Sequence, residues 1–268
     1  MNNIEAVLFD LDDTILNRAE MFSMYCDYFL NTLFPRGKSA DEKQAAKEYM
    51  IWNDKNGYEN RNVFYKKVID HLGLAYTVEQ LLTMWEMNYF KFATREEYLI
   101  EILDYLAPNY RLGIVTNGAS STQNRKIDAM GIRDFFRTIV ISADVGMSKP
   151  ETGIFLLACA NLGVSASSAV FVGDNYEKDI MGATRAGLSA IWMNKAKNKE
   201  MCKTTDGEMS KATGGEMSKA TGGEMSKATD NEIRKATDNE MCKATDGEMD
   251  EAHFDRQIQN LSELKNYL

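Results

Sequence analysis

Short, wholly apolar runs separated by single helix-length segments constrain this chain most. Ala6-Val7-Leu8-Phe9 ends in Asp10, and Leu112-Gly113-Ile114-Val115 ends at Thr116-Asn117-Gly118. Thr138 to Ser142, Ala169-Val170-Phe171-Val172 (ending at Gly173-Asp174) and Leu188 to Met193 follow the same form. A strand that is apolar throughout is a strand covered on both faces, which is the habit of parallel sheets. Between the runs lie helical patterns at Glu96–Leu106, Ser120–Met130, Glu151–Leu162 and Lys178–Ala186, the last three closed by Gly131, Gly163 and Gly187. Strand and helix in alternation imply right-handed crossovers and a parallel sheet. The expected fold is therefore α/β, a Rossmann-like core of three layers. Ligands of such sheets bind beyond the carboxyl ends of the strands, where Asp10, Thr116 and Asp174 all fall.

Two segments depart from this rhythm. Residues 17–94 carry helical spacing and no convincing strand; Met21, Tyr25, Tyr28 and Phe29 mark one helix face. About four helices are expected here. Their aromatic residues, among them Tyr25, Trp52, Tyr58, Phe64 and Trp85, are expected to pack between helices, the common fate of large rings. Residues 200–251 are near-identical octapeptides such as EMSKATGG. One methionine in eight residues drifts around a helix and is too little apolar material to offset the entropy of ordering, so disorder or frayed helical turns is expected. Ile258, Leu261 and Leu264 restore an apolar pattern that should pack back on the core. The chain thus divides into a core of residues 1–16, 95–199 and 252–268, a helical insertion at 17–94 and the repeat at 200–251.

Composition removes several classes. A net charge of -9 offers no basic groove, so no nucleic acid is expected as partner. No apolar run reaches the roughly 18 residues of a membrane span, and the N-terminus has no signal-peptide pattern. The four cysteines form no CxxC pair, which leaves a cytoplasmic setting as the expectation. His71 and His253 stand apart from every motif, which disfavours histidine-based nucleophilic catalysis.

The chemistry-bearing residues sit at the strand ends. Asp10-Leu11-Asp12-Asp13-Thr14 puts two carboxylates two residues apart just beyond a strand, as a metal site or a nucleophile with its acid partner needs. A capped turn would use the same residue types. Thr116 and Asn117 offer a hydroxyl and backbone N–H groups to a phosphate. Lys149 precedes Pro150, and Gly173-Asp174 is followed five residues on by Asp179. Each element alone has an ordinary structural reading. Their joint occurrence at successive strand ends does not.

In these motifs the chain resembles the haloacid dehalogenase-like hydrolases. Asp10, Asp12 and Thr14 match the DxDxT motif, Thr116 the second, Lys149 the third, and Gly173, Asp174 and Asp179 the GDxxxxD motif. The likeness covers about residues 1–194 and the last residues, and 17–94 resembles the family's small helical cap. The repeat is outside the family pattern. The resemblance implies a phosphatase that acts on a small phosphorylated metabolite, of phosphoglycolate, nucleotide or sugar-phosphate type; the lack of a long apolar run adds the expectation of no membrane partner. Asp10 would be the nucleophile, and Asp12 the acid and then the base. Magnesium would be held by the Asp10 carboxylate, the Asp12 backbone carbonyl and Asp174. Thr116, Asn117 and Lys149 would bind phosphate, with Thr14, Gly173 and Asp179 in support. Asp12 argues against the dehalogenase branch, which lacks this second acid. The alternative is a catalytically idle scaffold whose octapeptides are a protein-interaction module, for which the sequence names no partner.

Overall fold

The first apolar run forms β1 (Ala6–Phe9), with Val7 and Phe9 packed on one face of the sheet and Ala6 and Leu8 on the other, all fully buried. This is the two-sided burial its composition demands. The computed structural model describes residues 4–35, 37–95, 97–195 and 255–268, which belong to a single compact unit. The octapeptides and their expected disorder lie outside the described residues.

The sheet has six parallel strands in the order β3-β2-β1-β4-β5-β6. The remaining strands are β2 (Arg111–Thr116), β3 (Thr138–Ile141), β4 (Ala169–Gly173), β5 (Ser189–Met193) and β6 (Arg256–Ile258). Chain order reverses at β1, so β1 and β4 flank the switch point where such sheets open a crevice. Gly113 on β2 permits close packing there: a Cβ would lie 2.6 Å from the Leu8 side chain and 2.7 Å from that of Thr138.

Between β1 and β2 come α1 (Arg18–Leu33), α2 (Ala40–Asp54), α3 (Arg61–Leu72), α4 (Val78–Asn88) and α5 (Glu97–Leu106). Their starts are written in the sequence. Asn17 and Asn60 accept backbone N–H groups at the heads of α1 and α3, and Ser39–Glu42 and Thr77–Gln80 form reciprocal capping boxes on α2 and α4. The helices close on an aromatic cluster in which Tyr25, Phe29 and Phe64 are fully buried and Trp85 is 7% exposed. Trp85 meets Tyr25 edge-on at 4.9 Å between centroids. Trp52 and Tyr58 correct the sequence expectation, since they are 61% and 64% exposed. Trp52 points outward near the end of α2, and Tyr58 sits in the turn after that helix.

Beyond β2 the chain runs through α6 (Ser120–Met130), the short α7 (Ser142–Val145), α8 (Thr152–Leu162) and α9 (Gly182–Arg185). The segment expected as one helix over 178–186 is instead a π-helical turn, Tyr176–Met181, running into α9. Asn175 causes the early start: its side chain accepts from Lys178 N at 2.9 Å, and its carbonyl accepts from both Asp179 N and Ile180 N. Such wide turns are often found at functional sites. The tail packs back as expected, with Ile258, Leu261 and Leu264 buried. That it begins as a strand was not foreseen. β6 is three residues long and starts Arg256-Gln257, a short polar edge of the kind that blunts unwanted pairing. Among the described residues no helix is long and apolar enough to cross a membrane.

Candidate active site

Asp10 leaves β1 with its backbone N–H donated to Val172 O on β4 at 2.9 Å. The chain then turns tightly. Leu11 O accepts from Ile15 N and Leu16 N, and Asp13 adopts a left-handed φ of 61°, a conformation rare for residues other than glycine. This turn is why residues 10, 12 and 13 can all line one cavity of about 280 Å³, together with Thr116, Lys149 and Asp174.

Lys149 organises the Asp10 side of the cavity. Its Nζ lies 2.5 Å from Asp10 Oδ1 and 2.7 Å from Asp179 Oδ1, and all three side chains are buried. Burial pulls the lysine toward its neutral form, but the two carboxylates outweigh it and hold the ammonium above its usual range. The Lys149 backbone is pinned as well: Asn117 Nδ2 donates to Lys149 O at 3.0 Å, and Lys149 N donates to Asn117 Oδ1 at 2.9 Å. The Asn117 side chain therefore serves the loop, which leaves only its backbone for a phosphate.

Asp174 follows β4. Thr14 Oγ1 donates to its carboxylate at 3.3 Å, and Trp192 Nε1 donates to its carbonyl at 2.9 Å. Asp179 Oδ2 accepts from Asn175 N at 3.0 Å. Gly173 makes room for this: a Cβ there would lie 2.5 Å from Asp179 Oδ2. Oxygens of Asp10, Asp174 and Asp179 lie within 4.8 Å of one another. Burial and mutual repulsion push the Asp10 carboxyl well up, despite Lys149, and push Asp174 up to about 7. Asp179 Oδ1 is buried and meets the Lys149 ammonium at 2.7 Å. Three clustered carboxylates facing one ammonium, with oxygen donors only, suit a hard divalent cation.

Asp12 turns elsewhere. Lys126 Nζ reaches its two carboxylate oxygens at 2.7 and 2.9 Å, and Gln123 Nε2 donates to it at 2.9 Å and to Thr116 Oγ1 at 2.7 Å. Burial resists the Asp12 charge, but Lys126, Gln123 and Arg18 outweigh it and hold the carboxyl below its usual range. The Asp12 side chain is thus outside the three-carboxylate cluster, and only its backbone carbonyl remains for the metal role expected of it.

Gln123 and Lys126 were missed by sequence reasoning, although a signal was present. They share one buried face of α6 with Ile127 and Met130, the i, i+3, i+4, i+7 positions that an ordinary amphipathic helix fills with apolar residues. Arg18, Tyr58, Asn175 and Lys178 also line the cavity and were not singled out for it.

A doubly wound parallel sheet with a carboxylate-rich crevice at its switch point defines an α/β protein in which two buried lysines, Lys126 and Lys149, pair with the acids at the strand ends. The particular family follows: residues 7–193 match the haloacid dehalogenase-like hydrolase model, and the chain belongs to that family. It is similar to the glyceraldehyde 3-phosphate phosphatase of Methanothermobacter thermautotrophicus, 29% identical over 194 residues, which cover 71% of this chain and 86% of that protein. It is also similar to the N-acylneuraminate-9-phosphatase of Rattus norvegicus, 28% identical over 224 residues, 73% of this chain and 85% of the other. Among solved structures, the HAD-hydrolase YfnB of Bacillus subtilis, solved bound to magnesium, shares the fold with a TM-score of 0.65 at 21% identity, covering 100% and 99% of the two chains.

Proposed function

We propose that this chain hydrolyses a small phosphomonoester in a magnesium-dependent reaction that passes through an aspartyl-phosphate on Asp10. The observation that carries the reading is the division of labour between two carboxylates two residues apart. Asp10 sits against Lys149 in the metal-suited cluster, and Asp12 is held apart on Lys126 and Gln123. The curated relatives named above are phosphatases of small phosphorylated compounds, which supports the same class.

In the first half-reaction an Asp10 oxygen bonds to phosphorus as the bond from phosphorus to the ester oxygen breaks. The departing oxygen takes its proton from Asp12. In the second, Asp12, now a carboxylate, takes a proton from water as that water attacks phosphorus, releasing phosphate and restoring Asp10. The Lys126 clamp favours the anionic form of Asp12, which suits it as base; the approach of a phosphate dianion opposes that bias and helps it carry a proton into the first step. Lys149, the Thr116 hydroxyl and backbone N–H groups near Leu11 and Asn117 would hold the non-bridging oxygens, where a loose transition state gains most from charge and position. Asp10, Asp174 and the Asp12 carbonyl would hold magnesium, which supplies charge neutralisation and a template for the phosphate.

The test is phosphate release from a panel of phosphomonoesters, with magnesium or with chelator, for the wild type and for Asp10→Asn. Activity that needs both magnesium and Asp10 is expected. A folded Asp10→Asn variant that retains the wild-type rate would refute the nucleophile.

A further inference from the structure

Tyr58, in the turn after α2, is held over the cavity by a feature that phosphate chemistry does not require. Three consecutive residues there are left-handed: Lys55 at φ 49°, Asn56 at φ 53° and Gly57 at φ 88°. Two of them carry side chains, so the turn stores strain that its surroundings must offset. Those surroundings are strongly built. Buried Asp54 at the end of α2 takes the Arg18 guanidinium at 2.8 Å and also pairs with Arg61, which lies 4.6 Å above the Trp85 ring. Arg18 in turn packs against Gly57 so closely that a Cβ would come within 2.8 Å of its guanidinium.

This scaffold delivers Tyr58 to the loop that carries Asp174 and Asp179. Asn175 Nδ2 donates to the Tyr58 hydroxyl at 3.2 Å, and Lys178 Nζ stands 4.0 Å from the centre of its ring. The cations of the cavity are otherwise committed: Lys149 to Asp10 and Asp179, and Arg18 to Asp54. Lys178 has no carboxylate at ion-pair distance among the described residues, although five aspartates line the same cavity. A half-buried ammonium beside an aromatic face is partly stabilised by the ring, and it keeps its attraction for an anion.

We propose that Tyr58 and Lys178 form the subsite for the leaving group, and that the substrate is a phosphomonoester whose alcohol portion carries a carboxylate. This rests on the phosphatase reading above and specifies its substrate class. One uncommitted lysine matches one carboxylate. A second phosphate would bring about two charges into a cavity already rich in acids, where Lys178 is the one lining cation, among the described residues, with no carboxylate at ion-pair distance. The cavity volume of about 280 Å³ sits at the small end for ligand pockets and suits a short acid.

The experiment compares 3-phosphoglycerate with glycerol 3-phosphate, which has a hydroxymethyl group in place of the carboxylate, and uses p-nitrophenyl phosphate as a substrate with no carboxylate. kcat/KM is measured for the wild type, Lys178→Met, Lys178→Arg and Tyr58→Phe. The wild type is expected to prefer 3-phosphoglycerate over glycerol 3-phosphate by about 10-fold or more, the scale of one charge-assisted contact. Lys178→Met should lose that preference while its rates on the other two substrates stay within about 3-fold, and Lys178→Arg should keep most of it. Tyr58→Phe should reduce it part-way, since the ring remains and the Asn175 hydrogen bond is lost. Equal losses on all three substrates in Lys178→Met would make the lysine a mere cap fastening and overturn the proposal, as would a wild type indifferent to the carboxylate. A folded wild type inert to all three would refute the phosphatase reading itself, a separate outcome from either of these.

Discussion

Asp174→Asn should stabilise the metal-free protein. Without a cation, Asp174 sits half-buried in a cluster with Asp10 and Asp179, and its carboxyl is pushed up to about 7 from the ordinary 3.8 by burial first and by Asp179 next. A folded-state pKa above the unfolded one means that this group's contribution to stability is complete below pH 3.8. It is lost progressively as pH rises through about 7. A shift of about 3 units at about 1.36 kcal/mol each sets a ceiling of ~4 kcal/mol, and solvent screening of a half-buried group brings it to about 2 kcal/mol. Asparagine removes the charge and keeps an oxygen to accept from Thr14 Oγ1. For a unit of roughly 200 residues, this predicts a Tm about 4–8 °C higher for Asp174→Asn in chelator at pH 8. The gain should shrink toward nothing as pH falls to about 4, the lower edge of the window of the shift. Added magnesium should raise the wild-type Tm at pH 8 and leave the variant nearly unchanged. Thermal unfolding followed by circular dichroism reads all of this. A variant less stable than wild type in chelator at pH 8 would show that the cluster is not under charge strain and would refute the argument.

Other substitutions test the rest of the site. Lys126→Met should release the Asp12 carboxyl toward higher pKa, move the acid limb of the kcat–pH profile upward and lower kcat by about 10-fold or more; an unmoved profile would show that the clamp does not set the state of Asp12. Gly173→Ala forces a Cβ onto Asp179, 2.5 Å from its Oδ2, and should cost about 1–3 kcal/mol in chemical denaturation and about 100-fold in turnover through displaced Asp179 and Lys149. Trimming residues 200–251 to a single octapeptide should leave phosphate release unchanged. Parallel β5 and β6 need a crossover of only about a dozen residues, and a longer loop costs little. Loss of activity in that variant would tie the repeat to the enzyme.

The strand ends were legible because they obey local rules. An apolar tetrapeptide ending in Asp10, and another ending in Gly173-Asp174, read as buried strands delivering acids, and both are. Glycines 131 and 163 closed their helices where left-handed backbone was needed, at φ 64° and 67°. What escaped depends on tertiary placement. Lys126 reads as an exposed charge until α6 is seen to turn that face inward. Tyr58 reads as one more packing aromatic until the left-handed turn beneath it carries it to Asn175 and Lys178. β6 is a strand by virtue of its neighbour β5, since Arg256-Gln257-Ile258 has no periodicity of its own. The wide turn at Tyr176–Met181 likewise follows from Asn175 accepting at its start, a contact that composition does not announce.

The most direct test of the central claim is mass spectrometry of the protein quenched in acid during turnover with magnesium and substrate. The peptide of residues 1–18, which ends at Arg18, should gain the mass of HPO3, with fragmentation placing it on Asp10, and the gain should be absent from Asp10→Asn. Turnover at full rate with the modification on another residue, or with none trapped while Asp10→Asn remains active, would contradict the account.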